Sequence, residues 1–583
     1  GGQRSAQLTR CLLSRMFHVT YIYKYPKVEN DRQVSNEFSS SQISHIFFDN
    51  AQKDEISKNI TPQTTVIFEL PHPEFLPWLK LANETGAKTV YELIDPWEIS
   101  LGEGWYDAQV EETFIHAAFK VSATSKVLYQ KLISAGRSDA VYSPNAADER
   151  FFPIYSELPR PADFPQKYKK NIVYFGSMYG CWFNWEFLKE AAIRNSDTGF
   201  LMIGDPPVEH LPLPDNVLFL GIRENDELAT YLRAANAAII PFIPSKLVDA
   251  VSPVKAFEYI FTGTPVITAR MPEISEYPGV YQAETAKEFA SLCELKEIAA
   301  APLSQRELFL SKNSWASRCD QIVEQSPLKS TYSIIILIHN NKRVIERCLT
   351  TLLYHLAGLD KVEVIVVDNA SEDGGGAFVE EIFGKQVMLL KNPINGCSAG
   401  RNLGASKASN EILVFFDSDQ WFTSIGWLYE YDFIHSLHPE IGAMAWNAGW
   451  FSSDDLHGPI VDSVAERGTD VLQYQKYGFR TDIHYLATSG FFIKKSLFVE
   501  IGGLDEQYDP TIFEDTDLSM KILHHGEKIA YRNFSGIMHQ AHQTTRANAG
   551  GSEYAKLWKR NRQIFMGKWG AYIQKCLSAK EDL

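Results

Sequence analysis

Short apolar runs alternate with amphipathic stretches along most of the chain, and this alternation limits the fold more than any other feature. In the first half, runs such as TTVIFEL, KTVYELID and NIVYFGS have the length of buried strands, and stretches such as WEFLKEAAIR have helical periodicity. Consecutive parallel strands need a crossover, which is usually a helix. The pattern therefore predicts an α/β protein whose parallel sheets carry helices on both faces.

Two breaks interrupt this alternation. A stretch rich in proline and charge lies near residues 155–168, and QSPLKST follows the first series at residues 325–331. Such composition is typical of hinges and linkers between compact units. A chain of 583 residues is also long enough for three or so domains. The predicted segments are 1–160, 161–325, a linker at 326–331, 332–553 and a last helix at 554–583.

Composition and charge exclude several classes of protein. A hydrophobic content of 45% and a charged content of 22% are ordinary for a folded chain. A net charge of -16 argues against a nucleic-acid partner, because binding the phosphate backbone needs clustered Lys and Arg. The 7 cysteines show no CxxC spacing, which argues for a reducing compartment and against a zinc site. With no apolar run of about 18 to 20 residues and no signal peptide, the cytoplasm is the predicted location.

The run EILVFFDSDQ ends in two carboxylates that we expect to converge. Residues 412–416 have the composition of a short buried strand, and residues i and i+2 of a strand point to the same face. Unpaired carboxylates at Asp417 and Asp419 would repel each other, so a shared cation or proton would stabilise the pair. The alternative is a polar turn that caps the next helix, since Asp and Ser are common turn residues.

Further polar residues follow the neighbouring strands of this half. Asp368 ends the run VEVIVVD, and Arg401 lies in NPINGCSAGRNLGA. Ligands of doubly wound sheets bind beyond the carboxyl ends of the strands, so these side chains should share one crevice with Asp417 and Asp419. Later motifs add three acidic residues in FEDTDLSMKIL and two histidines in SGIMHQAH: Glu514, Asp515, Asp517, His539 and His542.

Four motifs of this half, in their order and spacing, resemble the family-2 glycosyltransferases, especially the rhamnosyl- and galactosyltransferase-like members. They are NPINGCSAGRNLGA, FFDSDQ, SGFFIKKSLFVEIGGLDE and FEDTDLSMKIL, and the resemblance covers about residues 331–570. It implies a GT-A fold, in which a mixed nucleotide-binding sheet has helices on both faces. It also implies a nucleotide-sugar donor and a divalent cation, Mn2+ or Mg2+.

The resemblance also implies roles for individual residues. One base opposite the leaving group implies inversion at the anomeric carbon. The first loop departs from the family, because Ile338, His339 and Asn340 stand where Thr-Tyr-Asn or similar is usual. The alternatives are His542 in place of His539 as a metal ligand, and a role at a helix N-terminus for Glu514 and Asp517. The implied roles are donor binding for Asp368, Arg401 and Asn340, metal binding for His539 and the DXD motif at Asp417 and Asp419, and catalysis for Glu514 and Asp515, with Asp515 as general base.

In the first half, the stretch VSPVKAFEYIFTGTPVIT predicts a helix start that binds phosphate. Ser252 is a good capping residue, and the proline after it suits the first helical turn. Free amides there, together with Lys255, would bind a diphosphate. Glu258 lies on the same helical face, where it would accept hydrogen bonds from ribose hydroxyls. The alternative is a surface helix with an incidental Lys and Glu.

This half resembles the two-lobed GT-B glycosyltransferases of the family-4 kind over most of residues 1–325. Further matches are YFGSMYGCWFNWEFL with Gly176, IGDPP, NVLFLG, YELIDPW and VSATSKVL. The resemblance implies two Rossmann-like lobes, with Gly176, Ser252, Lys255 and Glu258 on the donor side of the second. One departure is Ala250, where the family usually has the first of two glutamates. Gly1 and Gly2 match either the glycine-rich loop after the first strand or a cloning remnant, and the start GGQRSAQLTR lacks Met, so one interpretation is that an initial strand precedes it.

The stretch from Tyr554 to Lys575 predicts a basic and aromatic helix. It carries six basic residues and no acidic one, interleaved with aromatic residues such as Trp558, Phe565 and Trp569. Such a helix can lie on an anionic membrane surface, which would suit a lipid-linked acceptor. The alternative is that its aromatic side chains pack on the transferase domain.

The combined interpretation is a tandem glycosyltransferase that extends a polysaccharide or surface glycan, with a GT-B module followed by a metal-dependent, inverting GT-A module. Its expected partners are nucleotide sugars and a glycan, lipid-linked or protein-linked acceptor. The expected location is the cytoplasm, at the inner face of the membrane if the last helix binds there. Two alternatives stay open: an active GT-A module with an inert GT-B scaffold, and a glycan-binding protein without catalysis.

Overall fold

The computed structural model describes residues 4–24, 43–48, 56–147, 151, 160–178, 182–205, 212–224, 227–323, 327–450, 460–462, 478–539 and 552–579. Gly1, Gly2 and His542, which the sequence analysis considered, lie outside these ranges. The chain forms two compact units, Gly1–Glu324 and Gln325–Leu583. Each unit has its own sheets and its own hydrophobic clusters.

The first sheet of the N-terminal unit is parallel and has four strands, which pair in chain order. Its core is formed by buried side chains such as Tyr91, Phe114 and Leu132. A separate parallel pair precedes the sheet. The strands are β1 (Val19–Tyr23) and β2 (Ile43–Phe47) in the pair, and β3 (Thr65–Phe68), β4 (Lys88–Leu93), β5 (Lys120–Ala123) and β6 (Val141–Tyr142) in the sheet.

Six further parallel strands form the second sheet of this unit: β7 (Lys170–Phe175), β8 (Thr198–Ile203), β9 (Val217–Gly221), β10 (Ala237–Ile240), β11 (Val266–Ala269) and β12 (Val280–Ala283). Their spatial order is β12-β11-β10-β7-β8-β9. The direction in which the chain adds strands therefore reverses between β7 and β10. Ligands of such sheets bind beside a reversal, at the carboxyl ends of the strands. The parallel sheets confirm the fold class predicted from the alternation.

The helices of this unit cover the two sheets, and the last of them returns to the first lobe. Nε of Arg318 donates a hydrogen bond to the carbonyl oxygen of Pro144 at 2.6 Å, and Arg15 forms an ion pair with Asp320 at 2.8 Å. The helices are α1 (Arg4–Ser14), α2 (Leu76–Thr85), α3 (Ala108–Ala117), α4 (Lys126–Ser134), α5 (Trp185–Arg194), α6 (Leu228–Ala234), α7 (Lys246–Asp249), α8 (Val254–Thr262), α9 (Ala286–Leu292), α10 (Leu303–Lys312) and α11 (Trp315–Ile322).

The start of α8 differs from the prediction. The residue at the N-cap is Pro253, not Ser252, and no side chain caps this helix. The hydroxyl of Ser252 instead accepts a hydrogen bond from the backbone N–H of Asn145 at 3.0 Å, and Nδ2 of Asn145 donates to the Ser252 carbonyl at 2.7 Å. The predicted capping role of Ser252 is therefore wrong, because a distant loop binds both of its polar groups.

The C-terminal unit is built on a mixed sheet of eight strands: β13 (Tyr332–Ile338), β14 (Val362–Asn369), β15 (Met388–Asn392), β16 (Ile412–Asp417), β18 (Ile441–Ala445), β21 (Phe479–Arg480), β23 (Phe491–Lys494) and β24 (Lys528–Arg532). Their order is β15-β14-β13-β16-β23-β18-β24-β21, and the first four strands are parallel. In this register Ile338 lies opposite Asp368, and Leu337 lies opposite Asp417. Two of the predicted carboxylates thus flank the carboxyl end of β13.

Smaller sheets and helices complete this unit. An antiparallel pair is formed by β17 (Gln420–Phe422) and β25 (Ile537–His539), and a small sheet by β19 (Asn447–Gly449), β20 (Ile460–Asp462) and β22 (Tyr485–Leu486). The helices are α12 (Lys342–Leu356), α13 (Gly375–Phe383), α14 (Cys397–Lys407), α15 (Gly426–Leu437), α16 (Lys495–Glu500), α17 (Glu514–His525) and α18 (Ser552–Ala579).

Helix α18 is the helix predicted to be basic and aromatic. Its side chains Phe565 and Ile573 are buried in a cluster with Tyr508 and Phe513. Trp558 and Trp569 pack against the same cluster. The aromatic side of the helix therefore contacts the C-terminal unit, as the alternative interpretation expected. Among the described helices, none combines the length and the apolar character that a membrane span requires.

Candidate active site

The DXD motif lies where β16 ends. Asp417 is the last residue of the strand, and Gln420 opens β17 after a two-residue turn. Oε1 of Gln420 accepts a hydrogen bond from the Asp417 N–H at 2.9 Å and so holds this turn. Gln420 also pairs with His539 across the two-stranded ladder. This pairing brings a histidine from the end of the domain to the two carboxylates.

One ligand atom each from Asp417, Asp419 and His539 lies within 4.8 Å of the others. Asp419 is only 7% exposed, and its Oδ1 lies 3.2 Å from Nε2 of His539. This oxygen accepts no hydrogen bond of good geometry from the described residues. Adjacent ligands of a six-coordinate cation with bonds of about 2.1 Å lie about 3 Å apart, so the separation fits a shared cation. Two carboxylates and an imidazole are also a suitable donor set for Mn2+ or Mg2+.

Arg401 joins this carboxylate pair to the acidic motif of α17. Its Nη2 donates to Oδ1 of Asp417 at 2.7 Å, and its Nη1 lies 3.7 Å from Oε1 of Glu514. Burial alone would lower the pKa of the Arg401 guanidinium, but the charge of Asp417 holds it above its usual range. The buried guanidinium of Arg401 is therefore stable as an ion pair with the Asp417 carboxylate. The structure thus brings Arg401, Asp417 and Glu514 into one network.

Glu514 and Asp515 occupy the first turn of α17 and have unequal surroundings. Burial and the charge of Asp515 raise the pKa of Glu514 to about 8, although Arg401 lowers it. Burial also raises the pKa of Asp515, whereas the hydrogen bond that its Oδ1 accepts from the Thr516 N–H at 2.7 Å lowers it. Asp515 is the more exposed of the two. Burial thus raises the pKa of both carboxyl groups, and at Glu514 the charge of Asp515 adds to the effect of burial.

Asp368 and Asn340 meet at the loop before α13. Oδ1 of Asp368 accepts from the Ser371 N–H at 3.0 Å, and Oδ1 of Asn340 accepts from the Glu372 N–H at 2.8 Å. Asn340 is exposed and has a φ of 53°. Both predicted nucleotide-side residues thus lie at the carboxyl end of the sheet.

A neighbouring network was not foreseen from the sequence. Nδ1 of His339 bonds to the carbonyl oxygen of Asn369 at 2.8 Å, and its Nε2 lies 3.2 Å from Nδ2 of Asn340 and 3.3 Å from Nδ2 of Asn395. Because amide nitrogens only donate, Nε2 is the acceptor and Nδ1 carries the hydrogen. The sequence did show that His339 departs from the usual first loop, but it did not show the partners of His339, because most of them are distant in sequence.

The candidate donor site of the N-terminal unit contains a lysine among aromatic rings. Nζ of Lys255 lies 3.2 Å from the Tyr174 hydroxyl, and 4.6 Å and 4.9 Å from the ring centroids of Tyr174 and Phe242. Burial lowers the pKa of Lys255 to about 8, although the charge of Glu258 raises it. A Cβ at Gly176, which has a φ of 126°, would lie 2.9 Å from Nζ. Glycine therefore leaves room for the ammonium group beyond β7.

The remaining predicted residues of this unit have buried positions. Glu258 is 7% exposed on α8. Ala250 is 1% exposed and packs with the hydrophobic cluster of the first lobe. The structure places Lys255, Glu258 and Gly176 around one region, while Ser252 bonds to Asn145 as described above.

Comparison with known proteins identifies two matching segments. Residues 333–431 match the model of "Glycosyl transferase family 2", and residues 169–294 match that of "Glycosyl transferases group 1". TuaH of Bacillus subtilis, provisionally named a teichuronic acid biosynthesis glycosyltransferase, is 25% identical over 199 residues, which are 32% of this chain and 50% of TuaH. Glycosyltransferase AglE of Haloferax volcanii is 32% identical over 90 residues, 15% of this chain and 30% of AglE.

Among solved structures, the mannosyltransferase PcManGT of Pyrobaculum calidifontis, in complex with GDP-Man and Mn2+, has a TM-score of 0.28 and 19% identity, covering 36% of this chain and 57% of that chain. The chain spans about half the length of the first curated relatives that it matches. Each matched segment lies within one of the two compact units. The chain therefore carries two segments similar to glycosyltransferases, residues 169–294 in the first compact unit and residues 333–431 in the second.

Proposed function

We propose that the C-terminal unit transfers a sugar from a nucleotide-sugar donor to an acceptor hydroxyl, with a divalent cation and with inversion at the anomeric carbon. The observation that carries this proposal is the meeting of Asp417, Asp419 and His539, whose ligand atoms lie within 4.8 Å of one another. These three side chains would hold Mn2+ or Mg2+. When bound, the cation offsets the negative charge that develops on the departing diphosphate, by several kcal/mol.

The guanidinium of Arg401 adds a fixed positive charge beside this site. Its Nη2 bonds to Asp417 at 2.7 Å, and its Nη1 lies 3.7 Å from Oε1 of Glu514. A donor diphosphate would therefore meet a cation that needs no reorganisation. Asp368 and Asn340, at the adjacent strand ends, are proposed to bind the nucleoside part of the donor.

Asp515 is proposed as the general base. Burial and the charge of Asp515 raise the pKa of Glu514, so the pair is proposed to keep one proton on Glu514 and its negative charge on the more exposed Asp515. The Asp515 carboxylate then accepts the proton of the attacking hydroxyl while the new C–O bond forms and the bond to the diphosphate breaks. Attack opposite the leaving group inverts the anomeric configuration.

The N-terminal unit is proposed as a second transferase whose phosphate binding needs no metal. Lys255 lies near the N-terminus of α8, where free backbone N–H groups favour anions. A phosphate beside this partly neutralised lysine would restore its charge, because an opposite charge favours the ionised form. The buried Ala250, in place of the usual glutamate, favours the alternative of an inert scaffold that presents the acceptor.

The acceptor is proposed to be a growing glycan, either lipid-linked or protein-linked, in the synthesis of a polysaccharide or surface glycan. The similarity to TuaH, whose name refers to teichuronic acid biosynthesis, supports this class of acceptor. Two modules in one chain suit the addition of two sugars in sequence. The proposed location is the cytoplasm, near the inner face of the membrane if the acceptor is lipid-linked.

The test is nucleotide release from a panel of nucleotide sugars, with candidate acceptors, in the presence and absence of Mn2+. We expect one donor to be turned over only with metal by the wild type and by Glu258→Ala, but not by Asp419→Ala. We expect a second donor to be turned over without metal, and not by Glu258→Ala. The first activity alone would make the N-terminal unit a scaffold. The absence of both would favour a glycan-binding protein.

A further inference from the structure

The loop of residues 508–513, here called the base loop, leads directly into the catalytic turn of α17. At its end Ile512 and Phe513 have φ angles of 82° and 75°. Bulky L-residues rarely adopt this left-handed region. Such conformations are strained and persist only where their surroundings impose them. The placement of Glu514 and Asp515 therefore depends on what holds the base loop.

One side chain of α18 holds this loop. Asn561 is fully buried, and its Nδ2 donates to the carbonyl oxygens of Tyr508, Thr511 and Ile512 at 2.7, 2.8 and 2.9 Å. Its Oδ1 accepts from Nε of Arg560 at 2.8 Å. An amide group has two N–H hydrogens, so one of them is shared between two of the three carbonyls. An aliphatic side chain would remove the donor from all three carbonyls, one of them at a buried contact.

The base loop also fixes the start of α14, the helix that carries Arg401. Oδ1 of Asp509 accepts from the Ser398 N–H at 2.8 Å, and its Oδ2 accepts from the Ala399 N–H at 3.2 Å. These bonds satisfy N–H groups of the first turn, which the helix itself leaves open. Nη2 of Arg560 donates to the carbonyl of Asp509 at 2.6 Å. Helix α18 thus contacts the loop at the point where it caps α14.

Aromatic packing strengthens the same contact. The Phe513 ring lies 5.3 Å from that of Phe565, centroid to centroid, and 6.2 Å from that of Trp558. One turn into α17, the buried Asp517 accepts from Nε1 of Trp569 at 2.8 Å. Asp517 therefore binds α18 through its carboxylate. This contact explains why the residue is acidic without giving it a role in the reaction.

We infer that Asn561 is a positioning residue for sugar transfer. It holds the base loop in the conformation that orients Asp515. The inference rests on the proposed function of the C-terminal unit. It gives α18 a role in the reaction, although the helix is distant in sequence from the DXD motif.

The test compares the full chain with Asn561→Ala and with Gln563→Ala, an exposed residue on the same helix. We expect Asn561→Ala to lower kcat by roughly 10- to 100-fold, the loss that a displacement on the order of 1 Å produces. The donor KM and the Mn2+ concentration for half-activation should stay near the wild-type values, because Asn561 makes no hydrogen bond to the strands that carry Asp417 and His539. Amide hydrogen exchange in residues 508–517 should become faster. Gln563→Ala should change none of these.

A parallel loss of kcat, donor affinity and Tm would indicate a general structural role and overturn the inference, as would an unchanged kcat. If Asn561→Ala does not fold, Arg560→Ala tests the same loop, because this exposed side chain donates to the carbonyls of Gln507 and Asp509. The same selective loss of kcat, smaller in size, supports the inference, and its absence contradicts it. A wild type without any metal-dependent transfer would overturn the proposed function itself.

Discussion

The two candidate donor sites concentrate positive charge by different means. In the N-terminal unit, Lys255 lies beside the Tyr174 hydroxyl and the Phe242 ring. In the C-terminal unit, Asp417 and Asp419 form with His539 a set of ligands that would hold a cation. Both sites lie beyond the carboxyl ends of parallel strands, beside a reversal of strand order. The same placement in a sheet is therefore proposed to serve metal-dependent phosphate binding in one unit and metal-independent phosphate binding in the other.

The largest effect is expected for Asp515→Asn. The amide cannot accept the proton of the attacking hydroxyl, so kcat for metal-dependent transfer should fall by about 10²- to 10⁴-fold. Donor binding, measured by calorimetry with Mn2+ present, should be nearly unchanged, and so should turnover by the N-terminal unit. An equal loss of donor binding and transfer would contradict the assignment of Asp515 as base.

Removal of the histidine ligand should have the next largest effect. His539→Ala should raise the Mn2+ concentration for half-activation by at least roughly 10- to 100-fold, which is the loss seen for weaker, indirect metal contacts. The matched control is His525→Ala, because His525 is exposed at the C-terminal end of α17 and is not among the three candidate metal ligands. The measurement is the Mn2+ dependence of nucleotide release. Equal activation curves for the wild type and His539→Ala would exclude His539 as a ligand.

The N-terminal site should be distinguished by the way its donor affinity depends on pH, an effect smaller than the two above. Since the pKa of Lys255 is lowered to about 8, the unbound lysine loses its charge as the pH rises above 8. Donor affinity without metal should then weaken by up to about tenfold per pH unit. Lys255→Arg should remove this dependence, because arginine stays protonated throughout. A donor affinity of the wild type that stays constant from pH 7 to 9.5 would contradict a role for Lys255 in phosphate binding.

The positions of strand-end residues could be predicted from the sequence, because strand polarity and sheet order determine them. Asp368 and Asp417 lie at the carboxyl ends of β14 and β16, and the register places them on either side of β13. The α/β class and the tandem arrangement followed from the same alternation and from ordered motifs. Convergence of Asp417 and Asp419 was also expected, although a turn after the strand, rather than strand periodicity alone, brings them together.

Contacts between side chains distant in sequence could not be predicted in this way. Ser252 had the local signal of a helix cap, yet Asn145, 107 residues earlier, binds it. Asn561 lay in a helix for which the composition left a membrane surface and packing on the transferase domain both open, and nothing marked its contact with carbonyls about 50 residues earlier in the chain. Local propensity ranks the conformations of a segment, but tertiary partners decide among them. Residues that act through partners distant in sequence, such as Asn145 and Asn561, therefore cannot be recognised from one sequence.

The last prediction concerns stability and requires no activity. Burial raises the pKa of Glu514 to about 8, so folding favours its protonated form. Its contribution to stability is fully present below the unfolded pKa near 4.5 and is lost as the pH rises through 8. In this window the free energy of unfolding of the C-terminal unit should fall by up to about 1.4 kcal/mol per pH unit relative to Glu514→Gln. Because glutamine does not ionise, the variant should lack this component of the pH dependence.

Thermal unfolding of the full chain at pH 5, 6.5 and 8 measures this difference, with Glu380→Gln as the control because Glu380 is exposed on α13. The Tm of the wild type should approach or exceed that of Glu514→Gln at pH 5 and fall below it at pH 8. A gap that does not change with pH would mean that Arg401 keeps Glu514 ionised. Glu514 and Asp515 would then both be ionised. The assignment of a proton to Glu514 and of the basic role to Asp515 would need to be reversed or abandoned.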